Sequence, residues 1–278
     1  MRNMLGGSLR KLFHFLAFLL LLPCFASAGY IQLTTSSNPV LVDNYSGAHL
    51  DFSIRNTGNE AAYSLRFSLL LPEGVTAAEG GVSKLDANGS YSSSFELIFS
   101  KNLAPGTYGA ALLVDYADAN GYRFSSVSPA VFSVQREASS LVQSKFFEVS
   151  LQGSEPKTLE LVLRNLDDAP HGVALKLFFP RELKANSYEQ KISVEPKSEK
   201  QISFEVSSVG ALPDSSYSAL LLVEYEQNGV HYSSLSSGVI SVGTAPVLSP
   251  FLLLAVVLLA ATAVAVYLFA RRSGSPKP

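Results

Sequence analysis

The feature that most constrains this chain is that it repeats itself once. Ile54-Arg55-Asn56 returns as Leu163-Arg164-Asn165, about 109 positions later, and Leu69-Leu70-Leu71-Pro72 returns as Leu177-Phe178-Phe179-Pro180. Leu112-Leu113-Val114-Asp115-Tyr116 is answered by Leu221-Leu222-Val223-Glu224-Tyr225, and Phe132-Ser133-Val134 by Ile240-Ser241-Val242. Two copies in the same order make a tandem pair of domains, too few for a solenoid.

Within each copy apolar residues alternate, as in a strand that buries one face. The first copy has Leu50, Phe52, Ile54, then Leu65, Phe67, Leu69, then Phe95, Leu97, Phe99; the second has Leu159, Leu161, Leu163 and Ile202, Phe204, Val206 in matching places. About seven strands per copy at this spacing predict an all-β chain of two tandem Ig-like antiparallel β-sandwiches. Asn120-Gly121 and Asn228-Gly229 are each expected to close a tight hairpin, because both residues tolerate positive φ. Tyr108 and Tyr217 each follow a Pro-containing turn and start a strand. They are either tyrosine corners, bonded back to the backbone, or plain strand residues.

The two ends predict the address. Residues 1–28 place Arg2, Arg10 and Lys11 before an apolar block and end in Ala26-Ser27-Ala28, the form of a signal peptide. Val247 to Ala270 is an apolar run whose last 20 residues are uncharged, enough for one membrane-spanning helix. Arg271 and Arg272 then set the topology: the tail, 271–278, stays in the cytoplasm and the large N-terminal region lies outside the cell membrane. The expected map is therefore sandwich one at 29–135, a linker at 136–143 with Ser139-Ser140 as its flexible part, and sandwich two at 144–243. Only a few residues separate sandwich two from the anchor, so it is expected next to the lipid with sandwich one beyond it, the pair reaching roughly 60 Å outward.

The run Ile54-Arg55-Asn56-Thr57-Gly58-Asn59-Glu60-Ala61, with Leu71-Pro72-Glu73-Gly74-Val75 and Leu103-Ala104-Pro105-Gly106-Thr107-Tyr108, resembles the CARDB-type and alpha-galactosidase-associated Ig-like domains of bacteria and archaea. The second copy departs from it at Leu166-Asp167-Asp168-Ala169-Pro170, where the Thr-Gly turn is replaced. The resemblance implies a fibronectin III-like sandwich used for spacing or adhesion in S-layer-related and other surface proteins, and carries no catalytic residue.

No chemistry-bearing constellation stands out. His49, His171 and His231 have no ligand spacing and read as surface or edge residues. Asp115, Asp118 and Asn120 resemble part of a calcium loop whose remaining ligand positions fail, and the serines lack a nucleophile pattern. No catalytic, cofactor or metal site is expected, and the chain reads as a non-enzyme. The only cysteine, Cys24, falls in the leader, so the mature chain is expected to fold without disulfides. Formal net charge is −2, but six of the basic residues lie in the leader and tail, which leaves the exported part strongly acidic and argues against nucleic acid as a partner. Asn44 and Asn88 head glycosylation triplets at about the frequency chance provides. The expected partners are the lipid bilayer, through the C-terminal helix, and another envelope or membrane protein, with no small-molecule ligand. The reading is a single-pass surface protein whose domains act as a spacer, adhesion or protein-binding module; the alternatives are an accessory subunit of a membrane complex or a carbohydrate-binding surface protein.

Overall fold

The computed structural model describes residues 29–43, 45 and 47–244. The leader, Asn44, the apolar run 247–270 and Arg271 and Arg272 lie outside the described residues. Among the described residues no helix is long and apolar enough to cross a membrane.

Copy one contains β1 (Leu33–Ser37), β2 (Val40–Val42), β3 (Ala48–Asn56), β4 (Ala62–Leu70), β5 (Val75–Ala77), β6 (Gly80–Leu85), β7 (Ser90–Phe99), β8 (Gly106–Ala117) and β9 (Arg123–Val134). Copy two repeats the set as β10 (Val142–Ser144), β11 (Phe147–Gln152), β12 (Lys157–Asn165), β13 (His171–Phe178), β14 (Leu183–Ala185), β15 (Glu189–Val194), β16 (Glu199–Ser208), β17 (Ser215–Gln227) and β18 (Val230–Gly243). In copy one the sheet β1-β3-β7-β5 faces β6-β4-β8-β9, with β2 on the outer edge of β9; in copy two β10-β12-β16-β14 faces β15-β13-β17-β18, with β11 on the outer edge of β18. Each copy is an Ig-like β-sandwich.

The strands outnumber the expected seven per copy because two segments change sheets. The opening segment pairs antiparallel with β3 as β1, breaks at Asn38-Pro39, and continues as β2 in parallel pairing with β9. Proline has no N–H to give the first ladder, so the break falls where pairing would fail. The segment between β4 and β7 divides likewise: β5 pairs with β7 and β6 with β4.

The alternation predicted from sequence fills two cores. Phe52, Phe67 and Phe95 meet at the centre of copy one, the Phe52 and Phe95 rings 4.7 Å apart. Leu159, Leu161, Leu163, Leu175 and Phe204 do the same in copy two. Burying each such side chain contributes about 1.5–3 kcal/mol. Asn56 and Asn165, at 0% and 1% exposure, are the polar exceptions. Asn56 Nδ2 donates to Glu60 O (2.7 Å) while its Oδ1 accepts from Gly58 N (3.0 Å). Asn165 does the same with Ala169 O (2.8 Å) and Asp167 N (2.9 Å), and also donates to Val194 O and Glu195 O. One side chain thus fastens the turn after β3 or β12 to the neighbouring loop, which explains why both copies keep Asn there although the turns themselves differ.

Candidate functional site

The sandwiches do not stand end to end. β8 and β17 contain consecutive apolar residues, Ala110-Ala111-Leu112-Leu113 and Ala219-Leu220-Leu221-Leu222-Val223, and a strand apolar on both faces needs cover on both. The inward residues fill each copy's own core. The outward ones cover each other: Ala111, Val127 and Leu220 form a third cluster, with Leu113 and Phe178 packed against it. Ala111 and Leu220 are equivalent positions of the repeat, so the copies meet as a pseudo-two-fold pair.

The seam extends along the whole of β8. At its upper end β8 joins β18 in parallel, Gly106 opposite His231, so that the two inner sheets become continuous. His231 N donates to Pro105 O (2.9 Å), and Ser233 Oγ to Thr107 O (3.0 Å). Gly106 has φ +144°, and a Cβ there would lie 2.0 Å from His231 O; only glycine permits this approach. Further down, a Cβ on Gly109 would meet Leu222 Cδ1 at 2.5 Å. At the lower end buried Glu182 accepts hydrogen bonds from Ser125 N and Ser125 Oγ, both 2.8 Å, and Arg181 pairs with Asp115. The 136–143 linker is sewn into this seam. Ala138 N donates to Thr107 Oγ1 (2.8 Å), Leu141 N to Tyr225 Oη (3.2 Å), and Ser139 bridges Ser233. Ser140, read as flexible, is buried and exchanges hydrogen bonds with Val142, which with Gln143 already belongs to β10.

Because β8 runs parallel to β18, the expected outward stack is corrected to a side-by-side pair. The β8–β9 loop of copy one lies at the same end as the exit of β18: Tyr30, Tyr116 and Asp118 of copy one and Leu212 and Tyr217 of copy two line one cavity there.

Titratable groups concentrate at the upper end. His231 stacks flat on Tyr108, centroids 4.0 Å apart, with Nε2 3.5 Å from Glu224 Oε1 and Nδ1 3.9 Å from Glu226 Oε1. Lys176 Nζ stands 3.3 Å from Glu224 Oε2. Burial alone pushes the Glu224 carboxyl up, but the contacts with His231 and Lys176 outweigh it and hold the group below its ordinary value. Burial, followed by the charge of Glu226, pushes the Tyr108 phenol up, so it stays protonated and donates to Ala104 O at 2.7 Å. Elsewhere, His171 is buried against Tyr225 and meets Asp167 Oδ2 at 2.8 Å, and that contact holds the Asp167 carboxyl low. His171 and His231 are thus buried, against the surface or edge role expected, while His49 is exposed. Their aromatic neighbours come from β8 and β17, which local spacing does not reveal.

The remaining sequence candidates separate. Tyr108 bonds back to Ala104 O, whereas the Tyr217 hydroxyl accepts from Leu212 N (2.9 Å). Asn228-Gly229 has positive φ at both residues, 51° and 70°, in a two-residue hairpin. Asn120-Gly121 differs: only Gly121 has positive φ (85°), and Asp118 Oδ1 accepts from Asn120 N and Tyr122 N, at 2.8 and 2.9 Å, to hold a longer loop. Asn88 is exposed in the turn before β7. Among the described residues no group of three His, Cys, Asp or Glu has metal-binding geometry. Sequence reasoning missed Asn56, Asn165, Gly106, Arg181 and Glu182. The unbroken apolar runs of β8 and β17 were the available signal for the seam, and Arg181-Glu182 standing where copy one has Glu73-Gly74 was a second.

No family model matches the chain, and no curated protein matches it. Solved structures of similar form include a protein of unknown function from Porphyromonas gingivalis W83, 13% identical over 75% of this chain and 99% of that one, with TM-score 0.32. The YadV chaperone is 14% identical over 74% of this chain and 98% of its own, at TM-score 0.27. The PapD-like domain 7 of human CEP192 is 11% identical over 38% of this chain and 88% of that domain, at TM-score 0.28.

Proposed function

We propose that this is a single-pass protein of the cell membrane whose two Ig-like sandwiches form a rigid extracytoplasmic platform for binding another envelope protein. The observation that carries the reading is β18. It contributes to the core of copy two, begins at the seam with copy one, and ends at Gly243, with three residues between it and the apolar run at Val247. A helix anchored there would hold the second sandwich directly and the first through the seam. The side-by-side packing favours a platform over the long spacer that two stacked domains would make. The signal-like leader, Arg271 and Arg272, and the resemblance of the first copy to CARDB-type surface domains support the exported orientation. The test is protease added to intact cells. Cleavage should fall within 29–243 and spare the C-terminal tail; a digested tail with an intact N-terminal region would overturn the topology.

A further inference from the structure

We propose that the lower end of the seam binds a compact oxyanion of the phosphate class. A cavity of about 220 Å³ opens there, lined by Ser64, Arg66, Asp115, Tyr116, Arg123 and Arg181. Its three arginines come from β4, β9 and the β13–β14 loop of the other copy, so the site exists only when the copies are joined. Asp115 is the one acid in the lining and is engaged by Arg181. Arg66 and Arg123 make no ion pair among the described residues, and the neighbouring Glu182 carboxylate is bonded to Ser125, so three arginines stand against two carboxylates at this end of a region that is acidic as a whole. Guanidinium groups offer planar forks of N–H donors that match phosphate oxygens, and a second anion would relieve the repulsion between them. The volume is below that of drug-sized pockets, which limits the ligand to a small anion or a single esterified phosphate.

The backbone supplies an independent sign. Between Tyr63 and Arg66 the pairing of β4 with β8 slips by one residue, and Ser64 adopts φ 51° inside a strand. A non-glycine residue held there is strained. In copy two the equivalent stretch is one residue shorter, with His171 and Val173 opposite Val194 and Ile192 where copy one has Ala62 and Leu65 opposite Leu85 and Val82, so the sandwich itself does not require the bulge. Its effect is to re-aim the side chains that follow, and Arg66 is the one delivered to the cavity rim. The parallel register that sets Gly106 against His231 puts Asp115 level with the last residues of β18. The anion can therefore be a phospholipid headgroup, if the proposed topology holds, or a free phosphate, for which the topology is immaterial.

The test uses the full chain in nanodiscs of phosphatidylcholine alone, titrated calorimetrically with inorganic phosphate, and a parallel set containing phosphatidylglycerol. Saturable binding is expected in the first set, weakened about tenfold or more in the Arg66→Gln/Arg123→Gln variant. An Arg55→Gln/Arg164→Gln variant, which removes the same charge from exposed positions on β3 and β12, should bind as the parent does. Phosphate affinity that falls in the phosphatidylglycerol discs identifies the headgroup as the ligand; affinity unchanged there identifies free phosphate. The proposal is overturned if phosphate shows no saturable binding in phosphatidylcholine discs, or if both double variants lose it equally. The arginines replaced are exposed, and an unchanged thermal unfolding curve separates loss of binding from loss of fold.

Discussion

The two ends of the seam are the same place in the two copies, yet they carry opposite charge. Exchanging the copies turns Arg123, Arg181 and Asp115 at the lower end into His231, Glu73 and Glu224 at the upper end. The lower end is held by the Arg181–Asp115 pair and by Glu182, which takes two hydrogen bonds from Ser125. Its counterpart brings Glu73, Glu224 and Glu226 around one cavity with Lys176 and His231. The cores meanwhile keep the same apolar positions, with Leu161 and Leu175 where copy one has Phe52 and Phe67, and both keep the Asn56 and Asn165 fasteners. After a duplication, packing inside each copy keeps both sequences under the same demand. The seam places each position against a different neighbour and lets the copies diverge there.

The comparison can be broken most severely at Gly106. Gly106→Ala would drive a Cβ into the His231 carbonyl and strain a positive φ, so the joint should weaken by about 3 kcal/mol or more. Denaturant unfolding followed by probes in each copy should then separate into two transitions; the equivalent position in copy two is Ser215, which already carries a side chain. Next come the fasteners. Asn165→Ala leaves three carbonyls without their donor and Asn56→Ala leaves Glu60 O and the long 3.4 Å contact to Leu85 O. Losses of about 2–3 kcal/mol are expected, larger for Asn165, as measured by urea denaturation.

The two Asn-Gly dipeptides provide a smaller and cleaner contrast. Asn228→Ala should cost about 1 kcal/mol because Asn228 has φ 51°, while Asn120→Ala should cost almost nothing. Thermal unfolding of both single variants checks this difference. The smallest effect is on pH dependence, because burial and neighbouring charges act on Glu224 in opposite directions. Its value in the folded protein is depressed, so the stabilisation is complete above the ordinary carboxylate value and is lost as pH falls through the lower folded value. Glu224→Gln should therefore flatten the acid limb of the stability profile, measured by unfolding at a series of pH values below neutrality.

What could be read in the sequence follows from distance along the chain. Alternation has a period of two, so Leu50, Phe52 and Ile54 announce a half-buried strand without any knowledge of its partner. A positive-φ turn is equally local, which is why Asn228-Gly229 behaves as its dipeptide suggests. Asn120-Gly121 does not, because Asp118 two residues earlier offers a competing carboxylate cap. The seam depends on outward residues far apart in the chain, such as Ala111 and Leu220, or Ser125 and Glu182, and on the contact of two glycines, Gly106 and Gly109, with copy two. Periodicity within one copy reads Leu113 and Leu222 as extra apolar residues; only docking of the second copy gives them a partner. For the same reason Arg66, Arg123 and Arg181, drawn from three elements, do not resemble a motif in the sequence.

The side-by-side pairing of the sandwiches is tested most directly by a distance. Spin labels at Tyr122→Cys and Leu212→Cys, both exposed and at the same end of the seam, can be placed in a chain with Cys24→Ser. A single narrow distribution centred well below about 40 Å, the length of one twelve-residue strand, is predicted. A broad distribution extending beyond that length, as two sandwiches stacked end to end on a flexible linker would give, would contradict it.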